Sequence, residues 1–215
     1  MSRTVILISI LALLLLAGGG YYFFMHGTPA SKISCSTRAP RIVAYGDSLV
    51  EGYGASTEGG FVTGLSQSAG VPIVNAGVSG NTTADALARI SDVVAQKPDI
   101  VLLLLGGNDA LQRVPLETTK ANLGSIIESL QQGGAHVVLI GVIGGFPRDP
   151  FAQMFSGLAH QYRTTYVPNI LSGIITDRSL MSDEIHPNDA GYAKIAVRLR
   201  PILESACASL PSAGA

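Results

Sequence analysis

The feature that most constrains this chain is an alternation. Apolar runs suited to strands buried on both faces recur at residues 42–45, 72–75, 100–105, 137–143 and 165–167. Helical periods lie between and after them. Leu123, Ile126, Ile127 and Leu130 repeat at i, i+3, i+4, i+7, as do Tyr192, Ile195, Ala196 and Leu199, with a shorter stripe at Leu87, Ile90 and Val94. Strand–helix alternation with continuously apolar strands predicts an α/β domain over residues 41–206, its parallel sheet covered by helices on both faces. At 215 residues the chain has room for one such domain plus a short appendage.

Residues 5–25, VILISILALLLLAGGGYYFFM, supply that appendage. They follow Arg3, hold no charge and are apolar all round, which fits a cleaved signal peptide or an uncleaved signal anchor. Tyr21 to Met25 extend the run to bilayer-spanning length and favour the anchor. Residues 26–40, HGTPASKISCSTRAP, read as a linker, and residues 207–215 as a C-terminal tail. Either fate of the leader exports the domain, to the periplasm or an extracellular face. Cys35 and Cys207, the only two cysteines, then meet an oxidising compartment. A bridge between them and two separate thiols both remain open. The net charge of −1 offers no basic field for nucleic acid.

The first apolar run ends in RIVAYGDSLVEGYG, so Ser48 is either a turn or helix-capping residue or a nucleophile at the lip of the sheet. Ligands of open parallel sheets bind beyond the carboxyl ends of the strands, where strand order reverses. Three strand endings carry polar or glycine-rich sequence: Gly46-Asp47-Ser48, then NAGVSGNT with Gly77, then Gly106-Gly107-Asn108-Asp109. A base is available in MSDEIHPNDAGY. There, Asp183 and His186 are spaced so that a carboxylate can reach one imidazole nitrogen while the other faces outward. An isolated D-x-x-H is equally a helix cap beside a surface histidine; its company with Ser48 and Asn108 favours catalysis.

GDSL after the first strand, Gly77 after the second, GGND after the third and DEIHP near the end together resemble the GDSL, or SGNH, hydrolase family. GDSLVEGYG and GGNDAL look closest to its small bacterial esterases, the arylesterases and the thioesterase/lysophospholipases. No G-x-S-x-G elbow is present, which separates the chain from the α/β-hydrolases. The resemblance implies a three-layer α/β/α flavodoxin-like fold with a five-stranded parallel sheet in the order 2-1-3-4-5. It implies Ser48 as nucleophile, His186 as general base and Asp183 as its orienting acid. It also implies oxyanion donors from Ser48, Gly77 and Asn108, with neither metal nor cofactor. The expected substrate is a small or single-chain acyl ester, or a thioester. An envelope acyltransferase or carbohydrate acetylesterase using the same site, and a non-catalytic binding module, are the rival expectations.

Ile143 and Phe146, in GVIGGFPRDP, are expected to touch the acyl group. His26, His136 and His160 are read as non-catalytic, and Asp47 and Asp109 as braces for their loops.

Overall fold

The computed structural model describes residues 32, 33, 35, 40–56, 60–142 and 150–211. The expected anchor or signal segment, residues 5–25, lies outside them, as do Ile143 and Phe146. Among the described residues no helix is long and apolar enough to cross a membrane.

Five strands form one sheet in the order β2-β1-β3-β4-β5: β1 Ile42–Gly46, β2 Ile73–Gly77, β3 Ile100–Leu104, β4 His136–Ile140 and β5 Thr165–Val167. Every pairing is parallel. The helices are α1 Ser48–Glu51, α2 Gly60–Ala69, α3 Thr83–Ala88, α4 Ile90–Val94, α5 Gly107–Leu111, α6 Leu116–Gln132, α7 Pro150–Tyr162 and α8 Asp189–Ala208. This is the flavodoxin-like arrangement expected from the sequence.

The strands' period of two divides the core. Ile42, Ala44, Ile100, Leu102, Leu104, Val138 and Ile140 face α2 and α8, where Phe61, Leu65, Tyr192, Ile195 and Leu199 are buried. Val43, Tyr45, Val101, Leu103, Val137 and Leu139 face α6 and α7, meeting Leu123, Ile126, Ile127, Leu130 and Phe155. Both predicted helical stripes are therefore core faces.

Two local expectations shift. The apolar run at 137–143 outlasts its strand: the Gly141 N–H still donates to Val167 O at 2.8 Å, but β5 is only three residues long and the Gly141 carbonyl takes the Ile170 N–H at 3.1 Å, out of register. The stripe Leu87, Ile90, Val94 spans two short helices rather than one. They break at Arg89, whose φ of −113° and ψ of 14° leave helical geometry.

Cys35 and Cys207 are joined in a disulfide, which fastens the chain just before β1 to the last turns of α8. Ile33 is buried against the same core, and its N–H donates to the Ala69 carbonyl at 2.9 Å.

Candidate active site

Because β1 lies between β2 and β3, the loops leaving all three strands open onto one crevice. The alternative roles of Ser48 separate here. Asp47 is the N-cap of α1, its carboxylate accepting the Leu49 N–H at 3.0 Å. Ser48 is the first helical residue, so its hydroxyl is not used for capping. Gly52, at φ 98°, ends the helix after a single turn.

The Ser48 hydroxyl lies 3.0 Å from His186 Nε2, and His186 Nδ1 lies 2.7 Å from Asp183 Oδ2. The Asp183–His186 loop is self-braced. Asp183 Oδ1 accepts the N–H groups of Ile185 and His186, each at 2.8 Å, and the Ser182 N–H donates to the His186 carbonyl at 2.9 Å. Met181 and Pro187 form an antiparallel bridge across the loop, and Asn188 caps α8 behind it.

Burial acts to raise the Asp183 carboxyl, but the Ile185 N–H, the His186 imidazole and the His186 N–H outweigh it and hold the group below its ordinary range. An ionised Asp183 can only accept. Nδ1 therefore carries the imidazole proton, leaving the Nε2 lone pair to receive the Ser48 O–H. The exposed Tyr53 ring leans on the imidazole, with centroids 4.5 Å apart, and its carbonyl accepts from Tyr192 Oη at 2.7 Å.

The donors around Ser48 differ in one respect from the expectation. The Gly77 N–H is taken by Asn75 Oδ1 at 2.9 Å, and a Cβ at Gly77 would run into the backbone of Glu51. Gly77 is thus a close-packing residue between β2 and α1.

The next loop is tied at nearly every amide. Val78 N–H donates to Gly46 O at 3.1 Å, Ser79 to Glu51 Oε2 at 2.6 Å and Asn81 to Val78 O at 3.2 Å. Thr82 donates to Asp85 Oδ2 at 2.9 Å and Thr83 to Asp109 Oδ2 at 2.9 Å. Between them the Gly80 N–H has no partner among the described residues. Its φ of 80° is a glycine conformation, and a Cβ there would meet nothing within 4 Å.

The Ser48 N–H, in the first turn of α1, is also without a partner among the described residues. The Asn108 side chain gives one N–H to the Asn81 carbonyl at 3.0 Å and keeps a second.

Sequence reasoning passed over Gly80 although a signal was present. Thr82 and Asp85 form a capping box that fixes the start of α3, which leaves Gly80 as the glycine of the preceding loop.

The two acids read as braces hold backbone. Asp47, only 2% exposed, caps α1; burial pushes its carboxyl up to about 6 against the pull of the Leu49 N–H and of the nearby His186. Buried Asp109 accepts from Thr83 Oγ1 at 2.5 Å and Thr119 Oγ1 at 3.1 Å, beside its bond to the Thr83 N–H. His136 pairs with Thr165 Oγ1 at the start of β4, the end of the strand remote from Ser48. His160 lies in α7, and His26 is outside the described residues. Among the described residues no group of His, Cys, Asp or Glu could hold a metal ion.

Comparison with known proteins gives the same outline. Residues 44–194 match the model of the GDSL-like Lipase/Acylhydrolase family. The chain is 30% identical over 178 residues to esterase TesA of Pseudomonas aeruginosa, covering 77% of this chain and 89% of that protein. It is 29% identical over 175 residues to an arylesterase of Vibrio mimicus, covering 76% and 88%. A crystal structure of TesA superposes with a TM-score of 0.72 at 30% identity, over 77% of this chain and 99% of the other. With the family match running from within β1 into α8 and so enclosing Ser48, Asp183 and His186, this chain belongs to the GDSL-like lipase/acylhydrolase family.

Proposed function

We propose that the protein is a serine esterase that cleaves small or single-chain acyl esters through an acyl-enzyme on Ser48. The observation that carries this is the continuous relay from Asp183 Oδ2 through His186 to a serine hydroxyl not used for capping. Ser48 Oγ attacks the acyl carbonyl while its proton passes to His186 Nε2; Asp183 holds the tautomer and stabilises the imidazolium. The carbonyl oxygen becomes an oxyanion facing the N–H groups of Ser48 and Gly80 and the second amide N–H of Asn108. Gly80 replaces Gly77 in this role because the Gly77 N–H is already used. The imidazolium then protonates the departing alkoxide or thiolate. Water, deprotonated by the same nitrogen, releases the acid and restores the serine.

Tyr53, Val78, Leu111 and Ile185, four of the six large hydrophobic residues exposed among the described residues, sit on the loops that carry the site or, for Leu111, at the end of α5 beside Asn108. That apolar rim supports an acyl or aryl group as the part of the substrate recognised. The disulfide supports an oxidising, exported location, with residues 5–25 as anchor or cleaved leader.

A panel of aryl esters of graded acyl length, run on the full chain and on Ser48→Ala, tests the reading. Hydrolysis that is lost with Ser48 is expected; hydrolysis that survives the substitution overturns it.

A further inference from the structure

The break between α3 and α4 places one guanidinium behind the loop that holds Gly80. Arg89 Nε donates to Asn81 Oδ1 at 2.7 Å, one terminal nitrogen to Ala76 O at 3.0 Å and the other to Gly46 O at 2.9 Å. The three acceptors belong to three segments: the end of β1 two residues before Ser48, the end of β2, and the loop residue next to Gly80. The Asn81 carbonyl in turn receives the Asn108 amide. The guanidinium also lies over the Tyr45 ring, 4.5 Å from its centroid, and Tyr45 Oη donates to the Ala86 carbonyl of α3.

We infer that Arg89 is the positioning residue of the proposed oxyanion site: its planar fork sets the separation of the Ser48 and Gly80 N–H groups and, through Asn81, the placement of Asn108. The inference rests on the esterase reading above. Arg89 acts through these donors and touches no substrate. A lysine cannot take its place, because one ammonium cannot hold three oxygens at the angles a rigid guanidinium spans. Misplacing a preorganised donor by a fraction of an ångström lowers the rate of the step in which charge develops more than it weakens ground-state binding.

The test measures kcat, KM and melting temperature for the full chain and for Arg89→Lys, Arg89→Ala and Asn81→Ala, with Arg89→Ala repeated in an Asn108→Ala background. The expected kcat loss is roughly 10²-fold for Arg89→Ala, from the cost of an ångström of misplacement. Arg89→Lys stays close to that value, Asn81→Ala loses less, and KM stays within a few-fold throughout. Added ethylguanidinium restores part of the Arg89→Ala rate but none of the Ser48→Ala rate. In the Asn108→Ala background the Arg89 effect shrinks, because both substitutions disturb one unit.

If Arg89→Ala does not fold, Asn81→Ala and Arg89→Lys carry the test alone. Unchanged kcat in the variants that fold, a loss confined to KM, or full additivity with Asn108→Ala overturns the proposal. Turnover by the unaltered chain that ignores Ser48→Ala overturns the esterase reading instead, so the two failures are distinct.

Discussion

The two arms that meet at Ser48 are built in opposite ways. The Asp183–His186 arm is mostly local: its carboxylate, two backbone amides and imidazole lie within four residues, its backbone braces, Met181, Ser182, Pro187 and Asn188, are immediate neighbours, and the Tyr53 ring adds one contact from the loop after α1. The oxyanion arm is assembled at long range. The neighbours of Gly80 (Val78, Ser79, Asn81 and Thr83) are tied to Gly46, Glu51, Arg89, Asn108 and Asp109, from four other elements or their loops. A local arm can be altered with consequences confined to its chemistry. A distributed arm couples its geometry to packing, so its variants grade from rate effects into stability effects.

The sharpest break of this comparison is at the point where both arms converge. Ser48→Ala is expected to lower kcat by something like 10⁶-fold with little change in unfolding midpoint. Within the local arm, Asp183→Asn should lower kcat by about 10⁴-fold, since the wrong tautomer would face Ser48, again with the fold retained. Steady-state kinetics beside urea unfolding reads both quantities.

In the distributed arm, Asn108→Ala should lower kcat by roughly 10²–10³-fold. The two glycines should part company. Gly77→Ala drives a Cβ into the Glu51 backbone and is expected to be a folding defect, whereas the Cβ of Gly80→Ala meets open space but sits on a φ of 80° that alanine resists, so the N–H is displaced and kcat falls with a smaller cost in stability.

Smaller effects test how far stability is separate from the site. Removing the disulfide as Cys35→Ser with Cys207→Ser should cost roughly 2–5 kcal/mol, given its sequence separation of 172, and leave kcat near its original value.

Asp47 adds a dependence on pH. Its carboxyl sits near 6 in the folded protein and near 3.8 when unfolded. The native state therefore binds more protons across that window, and this group's contribution to stability falls as pH rises from about 4 to about 6. Asp47→Asn keeps an acceptor for the Leu49 N–H and should flatten the stability curve over that interval. Denaturant midpoints at pH 4, 5, 6 and 7 measure the difference between the two proteins.

The same contrast explains what was legible in the sequence. The strand–helix alternation, both core helix faces and the D-x-x-H spacing are written in short-range periodicity or in motifs a few residues long, the strand order follows from the family resemblance those motifs carry, and the structure shows all of them in place. Gly80, Glu51 and Arg89 act through partners up to 43 residues away, and nothing in local spacing tells a glycine pressed against α1 from one facing the crevice. Arg89 looks in sequence like one more polar position of an amphipathic helix; only the break in that helix turns its side chain onto three strand and loop endings. The early end of β4 has the same origin, since it depends on how far the neighbouring β5 runs.

The central claim is that a covalent acyl group resides on Ser48 during turnover. Acid-quenching the full chain within the first turnover of an activated aryl ester, followed by peptide mass analysis, tests it most directly. The expected result is one acyl adduct on the peptide spanning 41–54, localised to Ser48 and lost on longer incubation as acid is released. Turnover with no adduct at any quench time, or an adduct on another residue that forms and decays at the turnover rate, would contradict it.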